Sequence, residues 1–259
     1  MSIVTVLEKL YGSGSPEKFE KLYLDLVSGL KVHLSFAGTT NRGWIQLKLM
    51  GEDKAAALSL LDREVSLAPV SIDKLKKFSV MKGKVVFPKV SKDGLHVDVG
   101  ILSIKNCNAV ISKKRLCAQL ADGNDIPLQK LVELFCLYEN LPFEIKIDDV
   151  GKGRKNMEAG LSEAQCSLFS GWIGCSFDRL IVLGAHFSDI TRAIKLSKHY
   201  RDIIKVESLG FLEHVIICKL GTDAVGLIPK LGRYLKSAVL VPFSPKKIIK
   251  TVGSTCTSY

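Results

Sequence analysis

Cations carry most of the chemical potential in this chain. Lys82, Lys84, Lys105, Lys113, Lys114 and Arg115 crowd between positions 82 and 115, with the imidazole of His96 among them. Ammonium and guanidinium groups at that density can track a phosphate backbone, and a ring among them can stack on a base. A second group is Gly221, Thr222, Gly226 and Arg233, in and just after the run Gly221-Thr222-Asp223-Ala224-Val225-Gly226-Leu227-Ile228-Pro229. A glycine after a strand, followed by a helix N-terminus, can cradle an anion or receive a partner. Here the G-x-x-x-x-G-K-[ST] spacing is absent and Asp223 would repel a phosphate. Thr222 as helix cap, with Asp223 on the helix dipole, is the plainer reading. A third group, His199, Arg201, Asp202, Glu213 and His214, imitates acid–base machinery but lacks a nucleophile, metal pair or cofactor loop beside it. It reads as a surface salt-bridge group. No catalytic residue, metal ligand or cofactor is assigned, and the chain is not expected to be an enzyme.

The elements that must position the cations lie in residues 79–162. A β-branched run from Gly83 to Val90 ends at the turn Ser91-Lys92-Asp93-Gly94. In the next run Leu95, Val97 and Val99 alternate with His96 and Asp98. A short run from Cys107 to Ile111 leads into the basic segment KKRL, which has helical character. Pro142 to Ile147 and Asn156 to Leu161 flank a glycine turn. Five short strands with a helical segment after the third is the order of an oligonucleotide-binding (OB) barrel. Ligands on such barrels lie across the second and third strands, which places His96, Asp98, Lys105 and Asn106 on the expected path. The stretch 126–136, with Leu128, Leu131, Leu134 and Phe135 as a stripe, reads as one helix that caps the barrel or docks a partner.

On either side the pattern is α+β. Residues 1–70 read β-α-β-β-α, most of a ferredoxin-like split unit, with Ser15-Pro16-Glu17 as a helix start. The turn at Asn41-Arg42-Gly43-Trp44 is read as a hairpin with a partly buried indole, ahead of a stacking surface. Residues 163–245 give a complete β-α-β-β-α-β order, ferredoxin-like again, entered through the capping box Ser162-Glu163-Ala164-Gln165. Pro229 should kink its helix. From 246 to 259 a basic, then Ser/Thr-rich tail is expected to be mobile.

Charge follows the same division. The net charge is +11, yet residues 1–70 hold 8 basic and 8 acidic side chains, while residues 71–115 hold 11 basic and 3 acidic. A balanced segment suits protein contact, and the basic one suits a polyanion. No run of 18 or more uncharged apolar residues exists, so no membrane partner is expected. The N-terminus lacks a basic, cleavable leader pattern and is read as cytoplasmic. The 7 cysteines, at 107, 117, 136, 166, 175, 218 and 256, form no C-x-x-C and sit mostly in apolar runs. Reduced, metal-free thiols are expected.

Two resemblances sit on these residues. Gly83-Lys84-Val85, then Gly94-Leu95-His96-Val97-Asp98-Val99-Gly100, then Leu161-Ser162 resemble the S1 variety of the OB fold. The stretches 119–147 and 199–235, above all KLGTDAVGLIPKLGR, resemble an uncharacterised archaeal protein family with a central S1-like barrel. That likeness implies the architecture and an archaeal cytoplasm, and it transfers no catalytic residue. An S1-like barrel implies single-stranded RNA as partner, in translation, ribosome assembly or transcription, with a protein or ribonucleoprotein partner as a further expectation. S1-like barrels usually carry aromatic rings on strands two and three, and this chain offers only His96 there. Weak, mainly electrostatic RNA binding is therefore expected. The alternatives are a protein-interaction scaffold that binds no RNA, and an enzyme or small-molecule sensor using a pocket near Thr222 and His199.

Overall fold

The computed structural model describes residues 2–11, 16–69, 76–86, 94–102, 107–150 and 156–253. The first strand, β1 (Ser2–Lys9), is followed by α1 (Pro16–Leu26), β2 (Val32–Thr39), β3 (Trp44–Gly51) and α2 (Lys54–Glu64). The sheet is antiparallel in the order β1-β3-β2. Along β3, Ile45, Leu47 and Leu49 alternate inward with Gln46 and Lys48 outward, the period-two signature of a sheet covered on one face. Tyr23 and Val27, in and just after α1, close that core with Ala57 and Leu61 of α2. Trp44 points to the opposite face and is fully buried, more deeply than its turn position suggests.

Five strands then close a barrel: β4 (Val80–Val86), β5 (Gly94–Asp98), β6 (Ala109–Ser112), β7 (Pro142–Asp149) and β8 (Met157–Leu161). Their order around the barrel is β4-β5-β6-β8-β7, with β7 returning to β4. Only the β6–β8 pair among these is parallel. Closure leaves no free edge among the strands. Two helices fill the β6-to-β7 connection: α3 (Lys113–Leu120), capped by the Ser112 hydroxyl on the Arg115 amide, and α4 (Leu128–Leu134). The single helix expected over 126–136 is thus shorter at both ends. Pro127 sets its start, and Cys136 takes a left-handed φ of 55° that ends it.

The chain continues through α5 (Glu163–Gly174), β9 (Arg179–Leu183), α6 (Phe187–Ser197), a 3-10 turn at Tyr200–Asp202, β10 (Ile203–Ser208), β11 (Glu213–Cys218), α7 (Ala224–Leu231), β12 (Val239–Phe243) and α8 (Pro245–Val252). Ser162 caps α5 as the capping box predicts, accepting from the Gln165 amide at 3.1 Å. The sheet is antiparallel in the order β10-β11-β9-β12. One face packs on α6 and α7 through Leu180, Val182, Ile194, Ile216 and Leu227. The other joins the barrel core through Ile181, Val215, Phe243 and the Phe169 ring of α5. Phe169 meets Phe135 and Trp172 edge-on, with centroids 5.5 and 5.7 Å apart. Burial on both faces explains why LIVL and HVIIC read as continuous apolar runs rather than as alternation.

The C-terminal segment departs from expectation. In place of a mobile tail from residue 246, residues 245–252 form α8, which buries Pro245, Ile248 and Val252. Three apolar positions spaced by three and four residues make one helical face, which the lysines between them obscured.

Candidate nucleic-acid interface and the buried junction

The barrel is fastened to both flanking sheets by charge. Lys84 on β4 is only 2% exposed. Its Nζ lies 2.5 Å from Glu8 Oε2 on β1 and 2.7 Å from Glu213 Oε1 on β11. The Tyr11 hydroxyl donates to the same Glu213 oxygen at 2.5 Å, and the Phe211 amide donates to Glu8 Oε1 at 3.3 Å. One ammonium therefore serves two carboxylates drawn from opposite ends of the chain. Burial, and then the Glu213 charge, push the Glu8 carboxyl up to about 8 against the pull of Lys84. Burial alone would pull Lys84 down, but the two carboxylates outweigh it and hold its ammonium above the ordinary value. Burial and Glu213 also raise the Tyr11 phenol, which keeps it a donor.

This cluster makes stability depend on pH. Glu8 releases its proton near 4.5 in the unfolded chain and near 8 when folded. Between those values the folded state binds more protons, so stability falls as pH rises, by at most about 1.4 kcal/mol per pH unit. Below the lower value the contribution is complete, and above the upper one it is gone. Glu8→Gln mimics the protonated carboxyl. Urea midpoints from pH 5 to 8 should decline less steeply for the variant than for the parent; parallel profiles would remove Glu8 as the cause.

A second buried group ties the N-terminal sheet to β5. The Trp44 Nε1–H donates to Asp98 Oδ2 at 3.0 Å, and the Gly100 amide donates to Asp98 Oδ1 at 2.9 Å. Arg42 Nη2 lies 2.5 Å from Asp98 Oδ1, and Lys9 Nζ lies 3.4 Å from Oδ2 and 4.6 Å from the Trp44 ring centroid. Leu7, Trp44 and Ala68 pack together beside it. As a result all five residues of β5 are buried.

The expected RNA-contacting residues separate accordingly. Lys84 is withdrawn from solvent by Glu8 and Glu213 and cannot reach a phosphate. His96 is buried on β5, opposite Val86 and Val110, and offers no open ring. Lys105 lies outside the described residues. Lys113 pairs with Asp125 at 2.5 Å, and that bond raises its ammonium above the ordinary value. Arg115 sits 3.6 Å from Asp148 and lines a 410 Å³ cleft with Ser112 and Glu158. Lys82 and Lys114 are exposed, and among the described residues neither has an ion-pair partner. Lys82 stands at the mouth of a 220 Å³ cleft shared with Arg63, Glu8, Gly83 and Phe211, where the barrel meets both sheets.

The glycine segment does not assemble as an anion site. Asp223, not Thr222, caps α7, accepting from the Val225 amide at 3.0 Å. The 250 Å³ groove there sets Asp178 and Asp223 beside Lys219 and Lys246, so its charge is mixed. Arg233 lies past the far end of the helix, and Gly226 faces open space. His199 instead bonds Asp202 at 2.6 Å. Among the described residues no three His, Cys, Asp or Glu side chains are placed to hold a metal ion. Among the described residues six cysteines are free thiols, and burial pushes Cys136 up to about 12 and Cys218 up to about 11, away from thiolate chemistry. No helix among the described residues is long and apolar enough to cross a membrane.

Sequence reasoning missed both buried groups. Their one signal was charge within or beside apolar runs: Glu8 in SIVTVLEK, Lys84 in KGKVV, Asp98 in LHVDVGI and Glu213 ahead of HVIIC. Such charges are almost never fully buried unless paired.

The fold and junction define a mixed α+β protein in which a closed five-stranded barrel is locked between two antiparallel sheets. Residues 177–242, which include KLGTDAVGLIPKLGR, match the family model described as the DUF2110 C-terminal domain. No curated protein matches. Among solved structures the chain is similar to a protein from vaccinia virus (Wisconsin strain), at 14% identity over 34% of this chain and 89% of that one, with a TM-score of 0.23.

Proposed function

We propose that this chain is a non-catalytic, cytoplasmic RNA-binding accessory protein acting in translation, ribosome assembly or transcription. Its barrel is S1-like, and ferredoxin-like units stand on both sides, in an archaeal family. The observation that carries the reading is the barrel itself. Strand order β4-β5-β6-β8-β7 with one parallel pair supports an OB assignment, and Lys82 and Lys114 stand exposed on the barrel's surface. The antiparallel order β10-β11-β9-β12 supports the ferredoxin-like assignment. Single-stranded RNA would lie against the exposed cations, held mainly by phosphate contacts.

The test is the salt dependence of binding. For a single strand, log K falls by about 0.7 per neutralised phosphate for each decade of salt. Lys82→Ala with Lys114→Ala should flatten the slope by about 1.4 and weaken all RNA sequences alike, since phosphate contacts position rather than specify. Anisotropy titrations of a labelled oligoribonucleotide across a series of salt concentrations measure this. A parent that binds nothing at low salt would leave the scaffold reading in the lead. That reading has its own observation: β5, a strand on which OB barrels take ligand, is covered by the chain's own N-terminal sheet.

A further inference from the structure

Covering β5 directs a ligand path elsewhere on the barrel, and the outer face of β4 and β7 is organised for one. Phe78, two residues before β4, is 59% exposed, and Val80 is 56% exposed. Residues 80 and 82 share the outward face by strand alternation, and Phe78 stands beside its near end. Two ammonium groups lie near the Phe78 ring, with Lys77 Nζ 5.0 Å and Lys146 Nζ 5.7 Å from its centroid. Lys146 stands directly opposite Val80 in the β4–β7 ladder and reaches Glu163 at 3.6 Å.

The ring's exposure is fixed by the backbone. Phe78 has a φ of +69°, a left-handed conformation that a bulky side chain seldom adopts. Its amide donates to the Ile147 carbonyl at 2.7 Å. On either side of it, the Ser79 amide donates to Lys76 O at 3.0 Å and the Lys76 amide donates to the Ser79 hydroxyl at 3.1 Å. Three polar bonds thus hold a large apolar ring out in water, where nothing in the fold requires it. The run KKFSVMK around it has three lysines and no acid. One step beyond Ile147, Asp148 meets Arg115, so the face runs from the Lys82 cleft past Phe78 to the Arg115 cleft.

We propose that Phe78 is a base-stacking platform for single-stranded RNA, with Lys77, Lys82 and Lys146 on the flanking phosphates. The site rests on the RNA-binding reading and deepens it, placing the strand on β4 and β7 instead of β5 and β6. A planar ring near cations suits a base flanked by phosphates: the base takes the ring face, and the ammonium groups turn to the backbone.

The experiment uses the full chain, a short oligoadenylate ribonucleotide and an abasic strand of the same length and backbone. Phe78→Ala should weaken the adenine strand by roughly 5- to 100-fold, leave the abasic strand unaffected, and leave the salt slope and melting temperature unchanged. Phe78→Trp should retain affinity, and the indole it introduces should be quenched on binding, because Trp44 and Trp172 are buried. Equal loss on both strands, or no quenching of the Phe78→Trp variant at saturation, overturns the platform. If Phe78→Ala binds like the parent while Lys82→Ala with Lys114→Ala does not, RNA binding stands and the platform fails. If the parent binds neither strand, both fail, and Phe78 is left as a candidate anchor for a protein.

Discussion

Replacing Lys84 with methionine is expected to cost about 3–5 kcal/mol of folding stability, because it leaves the buried Glu8 and Glu213 carboxyl groups without their cation. The loss is a large share of the roughly 5–15 kcal/mol that holds an ordinary domain. The effect should depend on which partner remains. Glu8 already holds its proton up to about pH 8, so Lys84→Met combined with Glu8→Gln should recover more of the loss at pH 8 than at pH 5, since neighbours in one network are not additive. Acid should also help the single variant, because protonating Glu8 relieves its repulsion with Glu213. Urea unfolding at pH 5 and pH 8 for parent, single and double variants checks all of this. Equal midpoints for parent and Lys84→Met would mean that the ammonium does not bind the three segments together.

Asp98→Ala should be nearly as damaging, again by about 3–5 kcal/mol. Its carboxylate accepts from the Trp44 indole and the Gly100 amide and neutralises Arg42 and Lys9. Removing this side chain, itself only 3% exposed, strands two cations and two N–H groups. Burial already lowers the Lys9 ammonium, and Asp98 opposes that fall, so without the carboxylate Lys9 should titrate lower still. Asp98→Asn keeps one accepting oxygen, for the indole or the amide, and loses the charge and the second acceptor, so it should cost less than alanine. The same unfolding measurement ranks the two. An Asn variant as damaged as the Ala variant would show that one retained acceptor without the charge contributes nothing.

Much of the fold is legible because it is written in local pattern. Alternation along Leu95 to Val99, the capping box at Ser162 and the unbroken runs of β9 and β11 each follow from burial at a fixed period. The order of elements in all three segments can therefore be read from the sequence. The candidate site is less legible, and for a physical reason. Whether a lysine meets phosphate or carboxylate depends on what packs over it from elsewhere in the chain. Lys82 and Lys84 look alike in KGKVV, two residues apart on one strand, yet Lys82 meets water and Lys84 meets Glu8 and Glu213. His96 reads as an open ring because nothing local announces that the Trp44 turn lies against β5. Phe78, in a linker by composition, escapes notice because its importance lies in a backbone angle and in Lys146, far off in sequence.

The junction also sets an order of events at the ribosome. Glu213 follows Lys84 by 129 residues, so at about 5–20 residues per second it emerges roughly 6 to 26 s later. During that interval Glu8 and Lys84 can meet as a neutral pair, and the N-terminal sheet and barrel can dock with balanced charge. When β11 arrives it brings a second carboxylate to an ammonium already engaged. Docking the last sheet then favours uptake of a proton by Glu8 from neutral solvent, so the final step of assembly in a growing chain should be the one most sensitive to the acidity around it.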